Sequence, residues 1–266
     1  MVLEAVHHVR DTRSKRRHHR SKAYAGAHRR AATVPVLLIP GFMAGDWSLA
    51  RMAAGLRLEG FRTYRSHISI NVGCTAESVD RLEQRVESIV LRRGTKAMIV
   101  GHSLGGMLAR GLAARRPDLV AGIVTMGSPV MAPGAIHQLL AWDAEFLGRL
   151  NRAGLAKTMG SDCMSGPCAK NSFEEMRQPL APEVGFTAIF SPRDGIVSPS
   201  SCLDPYAQQH IEVRASHVGM ALDPITFDHV VASLRSFEAA QAAAAMPASD
   251  VAGPSAKAGP RPAVNT

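Results

Sequence analysis

Gly101-His102-Ser103-Leu104-Gly105 stands between an apolar run, Ala97 to Val100, and a stretch with helix-forming character, Leu104 to Arg115. Glycines two positions either side of a serine allow a strand to turn sharply into a helix, because two backbones without Cβ atoms can approach while the serine Oγ points into a pocket. Such a turn needs a buried strand behind it and a helix packed back upon that strand. The chain is thereby constrained to a layered α/β architecture rather than a helix bundle or an all-β fold.

The neighbouring sequence agrees. Val34 to Ile39 is apolar, β-branched and closed by Pro40-Gly41, the pattern of a strand buried on both faces. Asp46 or Ser48 is expected to cap a helix running to about Leu58, with Gly60 ending it before a second strand near Phe61 to Ile70. Thr75 is expected to cap a longer helix whose apolar residues Val79, Leu82, Val86 and Ile89 step by 3, 4 and 3 and which Gly94 stops. Strand Val120 to Met126 follows the helix at the turn, so the order is β-α-β-α-β with a parallel sheet. Phe186 to Phe190 and Ile211 to Val213 read as further strands, and Phe227 to Phe237 as a closing helix.

The net charge of +9 over 266 residues points to a polyanion only if it belongs to the folded part. It does not: residues 1–30 hold nine Lys and Arg against Glu4 and Asp11, which is +7 of the total. Residues 1–30 are therefore expected to be a disordered basic tail, with residues 10–30 an anion-seeking arm for weak contact with an anionic membrane or nucleic acid. The domain is expected over 31–239, and 240–266, rich in Ala and Pro, as a second disordered tail. Within the domain, 131–183 reads as a helical lid or cap insertion, with Leu139, Trp142, Phe146 and Leu150 on one stripe; packing of that stripe on the sheet is the competing reading. No apolar run approaches the roughly 18 residues that cross a bilayer. Arg16-Arg17 is not followed by the long apolar segment of an export signal, so a cytoplasmic protein, peripheral at a membrane at most, is expected. Cys74, Cys163, Cys168 and Cys202 allow one or two disulfides or buried thiols, and Cys163 with Cys168 lacks the second ligand pair of a zinc site, so no metal is expected.

A serine hydroxyl is a weak nucleophile at neutral pH. It needs a histidine to take its proton and a carboxylate to hold that histidine. In a strand-turn-helix setting the order is serine, acid, histidine. His137, His210, His217 and His229 follow the serine, and His217 lies in a loop just after the last strand, in "VRASHVGM". Asp194 lies in "SPRDGI", after a buried strand and before a glycine; Asp204 and Asp223 are its rivals. The backbone N–H of Leu104 and that of Phe42, in the loop after the first strand, are the expected oxyanion donors. Phe42, Met43, Trp142 and Phe146 are the expected substrate-binding residues.

With these residues in view, 34–237 resembles the α/β-hydrolase family, and within it the bacterial lipase and esterase branch that carries "GHSLGG". The resemblance implies a mostly parallel sheet with helices on both faces, a Ser103, Asp194 and His217 triad, an acyl-serine intermediate and no cofactor. Two departures stand out. Pro40-Gly41 replaces the His-Gly of many lipases, and nothing before Val34 matches the family's first antiparallel strands, so a minimal sheet of about six strands is expected. The implied activity is hydrolysis of carboxylic esters of apolar acyl chains, on a small-molecule ester or lipid. An acyltransferase or thioesterase using the same triad, and a noncatalytic protein binding an apolar ligand or partner, are the alternatives.

Overall fold

Strands β1 (Pro35–Ile39), β3 (Ala97–His102) and β4 (Val120–Met126) are buried along their whole length, as continuous apolar runs with helices on both sides must be. The computed structural model describes residues 34–131 and 166–244. Its sheet is parallel throughout, with β2 (Arg62–Arg65), β5 (Gly185–Phe190) and β6 (Gln209–Glu212) completing the order β2-β1-β3-β4-β5-β6. The outer strands β2 and β6 carry the exposed and polar side chains.

Alternation along the strands sends successive side chains to opposite layers. Leu37, Ile39, Ile99, Ile123 and Phe186 meet α2 (Thr75–Arg93), α3 (Leu104–Arg115) and α4 (Pro167–Met176). Val36, Leu38, Met98, Val100 and Val124 meet α1 (Ala50–Leu58) and α5 (Pro224–Ala244). The chain is thus an α/β protein with a six-stranded parallel sheet, as the apolar runs and turn glycines led one to expect. No helix among the described residues is long and apolar enough to cross a membrane.

Several boundaries differ, each for a local reason. β2 ends at Arg65 rather than Ile70 because Asp46, expected as a helix cap, instead takes the N–H groups of Ser66 and His67, both at 3.0 Å, and the Ser66 hydroxyl at 2.6 Å. A 3-10 turn over Asp46–Leu49 then leads into α1. Thr75 is the first residue of α2 and Cys74 its N-cap, while Gly94 ends the helix at φ +68, where only glycine is unstrained. α5 starts at Pro224, because Asp223 accepts the Thr226 N–H and hydroxyl, both at 2.8 Å, and its alanines carry it to Ala244, past the expected boundary at 239.

The largest departure lies in the stretch 131–183. Its C-terminal part is the helix α4, in which Phe173 and Met176, with Leu180 just beyond, are buried in the same cluster as Met107, Leu108 and Leu112 of α3. This part is core and not lid. Residues 132–165 with Trp142, Phe146 and Cys163, like 1–33 and 245–266, lie outside the described residues. The sulfurs of Cys74 and Cys168 approach to 3.5 Å, bringing the N-termini of α2 and α4 together.

Neighbouring strands β4 and β5 place Gly122 opposite Gly185, and both lie under the Phe237 ring of α5. A Cβ at Gly122 would come within 2.5 Å of that ring. Gly122→Ala is therefore expected to lower unfolding free energy by about 1–3 kcal/mol. In a Phe237→Leu background the same change should cost much less, and urea denaturation of the four chains checks it: additive losses would mean that the ring is not the obstacle.

Candidate active site

The sheet order reverses between β1 and β3: the loop after β1 leads to a helix on one face, and the turn after β3 leads to a helix on the other. The carboxyl ends of these two strands therefore frame a crevice, the usual ligand position in an open parallel sheet. Ser103 stands at that point. Its backbone adopts φ +52, ψ −123, a conformation that costs a non-glycine residue on the order of 1–3 kcal/mol.

The strain is held by close approach. A Cβ on Gly101 would collide with the backbone of Gly105 and Gly106, and one on Gly105 with the carbonyls of Ile39 and Pro40. Ser103 N–H donates to the Met126 carbonyl at 2.9 Å, and the Ser103 carbonyl accepts from Gly106 N–H at 2.9 Å. The hydroxyl itself is buried and has no hydrogen-bond partner among the described residues.

Asp194 and His217 meet across two loops. Asp194 follows β5, where the N–H groups of Ile196 and Val197 both donate to its Oδ1 at 2.8 Å. Its Oδ2 lies 2.7 Å from His217 Nδ1, with both side chains nearly excluded from solvent. Burial pushes the Asp194 carboxyl up, but the His217 and backbone N–H hydrogen bonds outweigh it and hold the group below the usual carboxylate range. A carboxylate can only accept, so Nδ1 carries the proton and Nε2 of the neutral ring is the free base. Gly127, at φ +56 after β4, lets the backbone lie against this pair: a Cβ there would stand 3.0 Å from Asp194 Oδ2 and 3.2 Å from His217 Nδ1.

The rival residues are engaged elsewhere. Asp204 forms a buried ion pair with Arg110 at 2.8 Å, Asp223 caps α5, and a ring nitrogen of His210 lies 3.0 Å from the Asp204 carbonyl. His229 lies on α5, and His137 is outside the described residues. Asp194 and His217 are thus hydrogen-bonded to each other, while the Ser103 hydroxyl is hydrogen-bonded to neither.

The loop after β1 lies against the serine, with an ideal Cβ on Gly41 only 3.1 Å from Ser103 Cβ. Asn71 braces this loop. Its side-chain amide donates to the Pro40 carbonyl at 2.8 Å, and its backbone exchanges bonds with Met43 and Ala44 at 3.1 and 2.8 Å. Phe42 N–H takes no part in the bracing, and Leu104, as first residue of α3, has an N–H with no acceptor inside its helix. Phe42 is half-buried against the core and Met43 is exposed. Among the described residues no cluster of three or more His, Cys, Asp or Glu side chains could hold a metal.

Three residues around the site were not singled out from sequence: Asn71, Gly127 and His102. Asn71 lies in the loop between β2 and α2, where no local pattern marks it. Gly127 opens Gly-Ser-Pro after a buried strand, a turn signal that does not say which side chains the backbone will meet. His102 occupies the unconstrained position of the glycine-serine motif. Its ring nitrogen Nε2 lies 2.9 Å from the His217 carbonyl, and the two rings are 4.9 Å apart. Burial first, and then the neighbouring His217, depress the His102 imidazole from the ordinary 6.5 to about 4.

A family model for the alpha/beta hydrolase fold matches residues 34–166, and the chain belongs to that family. Among solved structures, a mature Bacillus licheniformis lipase, BlEst2, aligns at TM-score 0.60 and 15% identity, covering 77% of this chain and 93% of that one. A Paleococcus ferrophilus monoacylglycerol lipase aligns at 0.54 and 20%, covering 77% and 96%. One of the metagenome-derived lipolytic enzymes LipS and LipT aligns at 0.53 and 16%, covering 77% and 94%. At such identities these likenesses concern the fold.

The depressed His102 value has a consequence for acid stability. The unfolded chain takes up this proton near pH 6.5 and the folded chain only near 4, so stability is full above about pH 6.5, falls as the pH drops towards 4 and levels off below. The loss should be on the order of 2–3 kcal/mol, and His102→Gln, which cannot titrate, should lack it. Urea unfolding of both proteins at pH 7.5 and 4.5 reads the difference; parallel losses would show that another group carries the acid sensitivity.

Proposed function

We propose that this protein is a serine hydrolase that cleaves carboxylic esters of apolar acyl chains through an acyl-serine intermediate. One observation carries the reading: a buried, unpartnered serine hydroxyl on a strained strand-to-helix turn, next in sequence to a histidine whose ring lies 4.9 Å from the ring of the carboxylate-oriented His217. An unsatisfied buried hydroxyl costs on the order of 1–3 kcal/mol and a strained backbone a similar amount, so their coincidence marks a functional atom.

In this mechanism His217 Nε2 takes the Ser103 proton as Oγ attacks the ester carbonyl carbon. Asp194 fixes the ring through Nδ1–H and stabilises the imidazolium that forms. Negative charge on the tetrahedral oxygen falls to the N–H groups of Phe42 and Leu104. The imidazolium then protonates the departing alcohol, leaving the acyl group on Ser103. Water, deprotonated by the same His217, attacks that ester, and return of the proton to Ser103 Oγ releases the acid. Phe42 and Met43 give the entrance an apolar wall, which favours an apolar acyl chain. The lipases that share this fold agree with the assignment.

A fluorophosphonate probe is expected to label the wild-type protein at Ser103, and Ser103→Ala to abolish labelling. That substitution should also lower ester hydrolysis by about 10⁴-fold or more. Failure of the wild type to label, or labelling at another serine, would overturn the nucleophile assignment. With p-nitrophenyl esters, kcat/KM should rise from acetate to octanoate; preference for acetate would sink the apolar-acyl part alone.

A further inference from the structure

His102 is a buried polar side chain beside the site that the mechanism above does not use. It is 7% exposed, immediately precedes Ser103 at the end of β3, and reaches the backbone of the loop that carries His217. The acceptor there is a carbonyl oxygen, which cannot donate, so Nε2 of His102 carries the hydrogen. Its Nδ1 faces Gly41, where an ideal Cβ would stand 3.2 Å away. Thus one imidazole touches the oxyanion loop, the nucleophile strand and the loop of the general base.

That last loop needs such a tether. β6 ends at Glu212, and the next inter-strand bond is Val213 N–H to the Phe190 carbonyl at 2.8 Å, four residues before His217. His217 itself opens a short 3-10 turn over Val218–Ala221, whose flanks Val218 and Leu222 are exposed. Ser216 holds the turn from within, its carbonyl accepting from Met220 N–H at 3.0 Å and its hydroxyl from Gly219 N–H at 3.2 Å. Those bonds shape the turn, and Met220 and Ala221 seat its far end in the core, but no backbone hydrogen bond among the described residues joins His217 itself to a strand. Asp194 fixes the ring of His217; a ring fixed only at Nδ1 can still shift with its backbone.

We propose that His102 is a positioning residue that clamps the His217 backbone to the strand bearing the nucleophile, so that Ser103 and its base are registered through one covalent neighbour. The inference rests on the serine-hydrolase reading. The clamp suits a base that becomes charged twice per turnover. The groups facing His102 are the His217 imidazole and the Asp194 carboxylate, and a neutral His102 adds no like charge beside the imidazolium. Placing the clamp one residue from the nucleophile also means that any movement of β3 carries both partners together.

The test separates donor position from bulk. In His102→Gln the side-chain amide nitrogen can occupy the place of imidazole Nε2; in His102→Asn it reaches only the place of Nδ1. His102→Asn is expected to lower kcat on a p-nitrophenyl ester by about 10²-fold with KM within about threefold, and fluorophosphonate labelling should slow in parallel. His102→Gln should restore most of both rates. The His217 Nδ1–H proton resonance should stay sharp in wild type and His102→Gln and be broadened or lost in His102→Asn at unchanged pH. Equal activity of the Asn and Gln variants, a loss confined to KM, or a resonance indifferent to the substitution would each overturn the clamp. If the wild type neither labels nor hydrolyses, the catalytic reading fails, and the resonance alone still decides whether His102 holds His217.

Discussion

The close approach of β1, β3 and α3 is the constraint from which the site follows. Gly101 and Gly105 have no room for a Cβ, because the backbones of the first strand, the third strand and the third helix converge there. Convergence forces Ser103 into the left-handed region at φ +52. Gly41, also at that junction, brings the following loop against the serine. The turn is strained locally and can persist only because the strands behind it are wholly buried, with apolar layers on both faces that resist its relaxation.

A second polar centre sits on the far side of α3. Arg110 and Asp204 pair at 2.8 Å with side chains 1% and 3% exposed, and the guanidinium stacks over Tyr206 at 5.4 Å. Asp204 also accepts Tyr206 N–H at 2.9 Å, and its carbonyl meets a His210 ring nitrogen. The segment that connects the Asp194 turn to β6 is therefore gathered onto the helix that begins at Ser103. A buried ion pair adds little net stability over an apolar replacement, although losing one partner costs about 3–5 kcal/mol. Its effect here is arrangement: it keeps Asp204 away from His217 and fixes the path along which Asp194 and His217 converge.

These relations explain what was legible before folding. Continuous apolar runs and punctuating glycines are local signals, so β1, β3, β4 and α3 could be read nearly to the residue. The choice of Asp194 and His217 also rested on local signals, a carboxylate in a turn after a buried strand and a histidine in the loop just after the last strand. Asp46 could be read only as a cap, since its true acceptor role toward Ser66 and His67 joins positions 20 and 21 apart. Within 131–183 the stripe read from the sequence was Leu139, Trp142, Phe146 and Leu150, and Phe173, Met176 and Leu180 owe their burial to a contact with α3 that no local pattern records. Arg110 is buried on α3 through a partner 94 residues away, a pairing that no local pattern records. His102 and Asn71 were obscure for the same reason: each acts on a backbone carbonyl distant in sequence, and no pattern of side-chain types records that.

The bonds that assemble the site share a form. Asn71 donates to the Pro40 carbonyl, Asp194 accepts from Ile196 and Val197 N–H, and His102 reaches the His217 carbonyl. In each, a side chain holds a backbone group, whereas the Asp194 and His217 contact joins two side chains. Loops held in this way keep their backbone dipoles in place, which on the proposed serine-hydrolase reading is the condition for stabilising a transition state without reorientation. Among the described residues this arrangement also leaves the Ser103 hydroxyl without a hydrogen-bond partner and the Leu104 N–H without an acceptor in its helix, both at the crevice between β1 and β3. The polar atoms that would satisfy them must come from whatever occupies that crevice, so the same hydrogen bonds that shape the loops define the site by what they leave open.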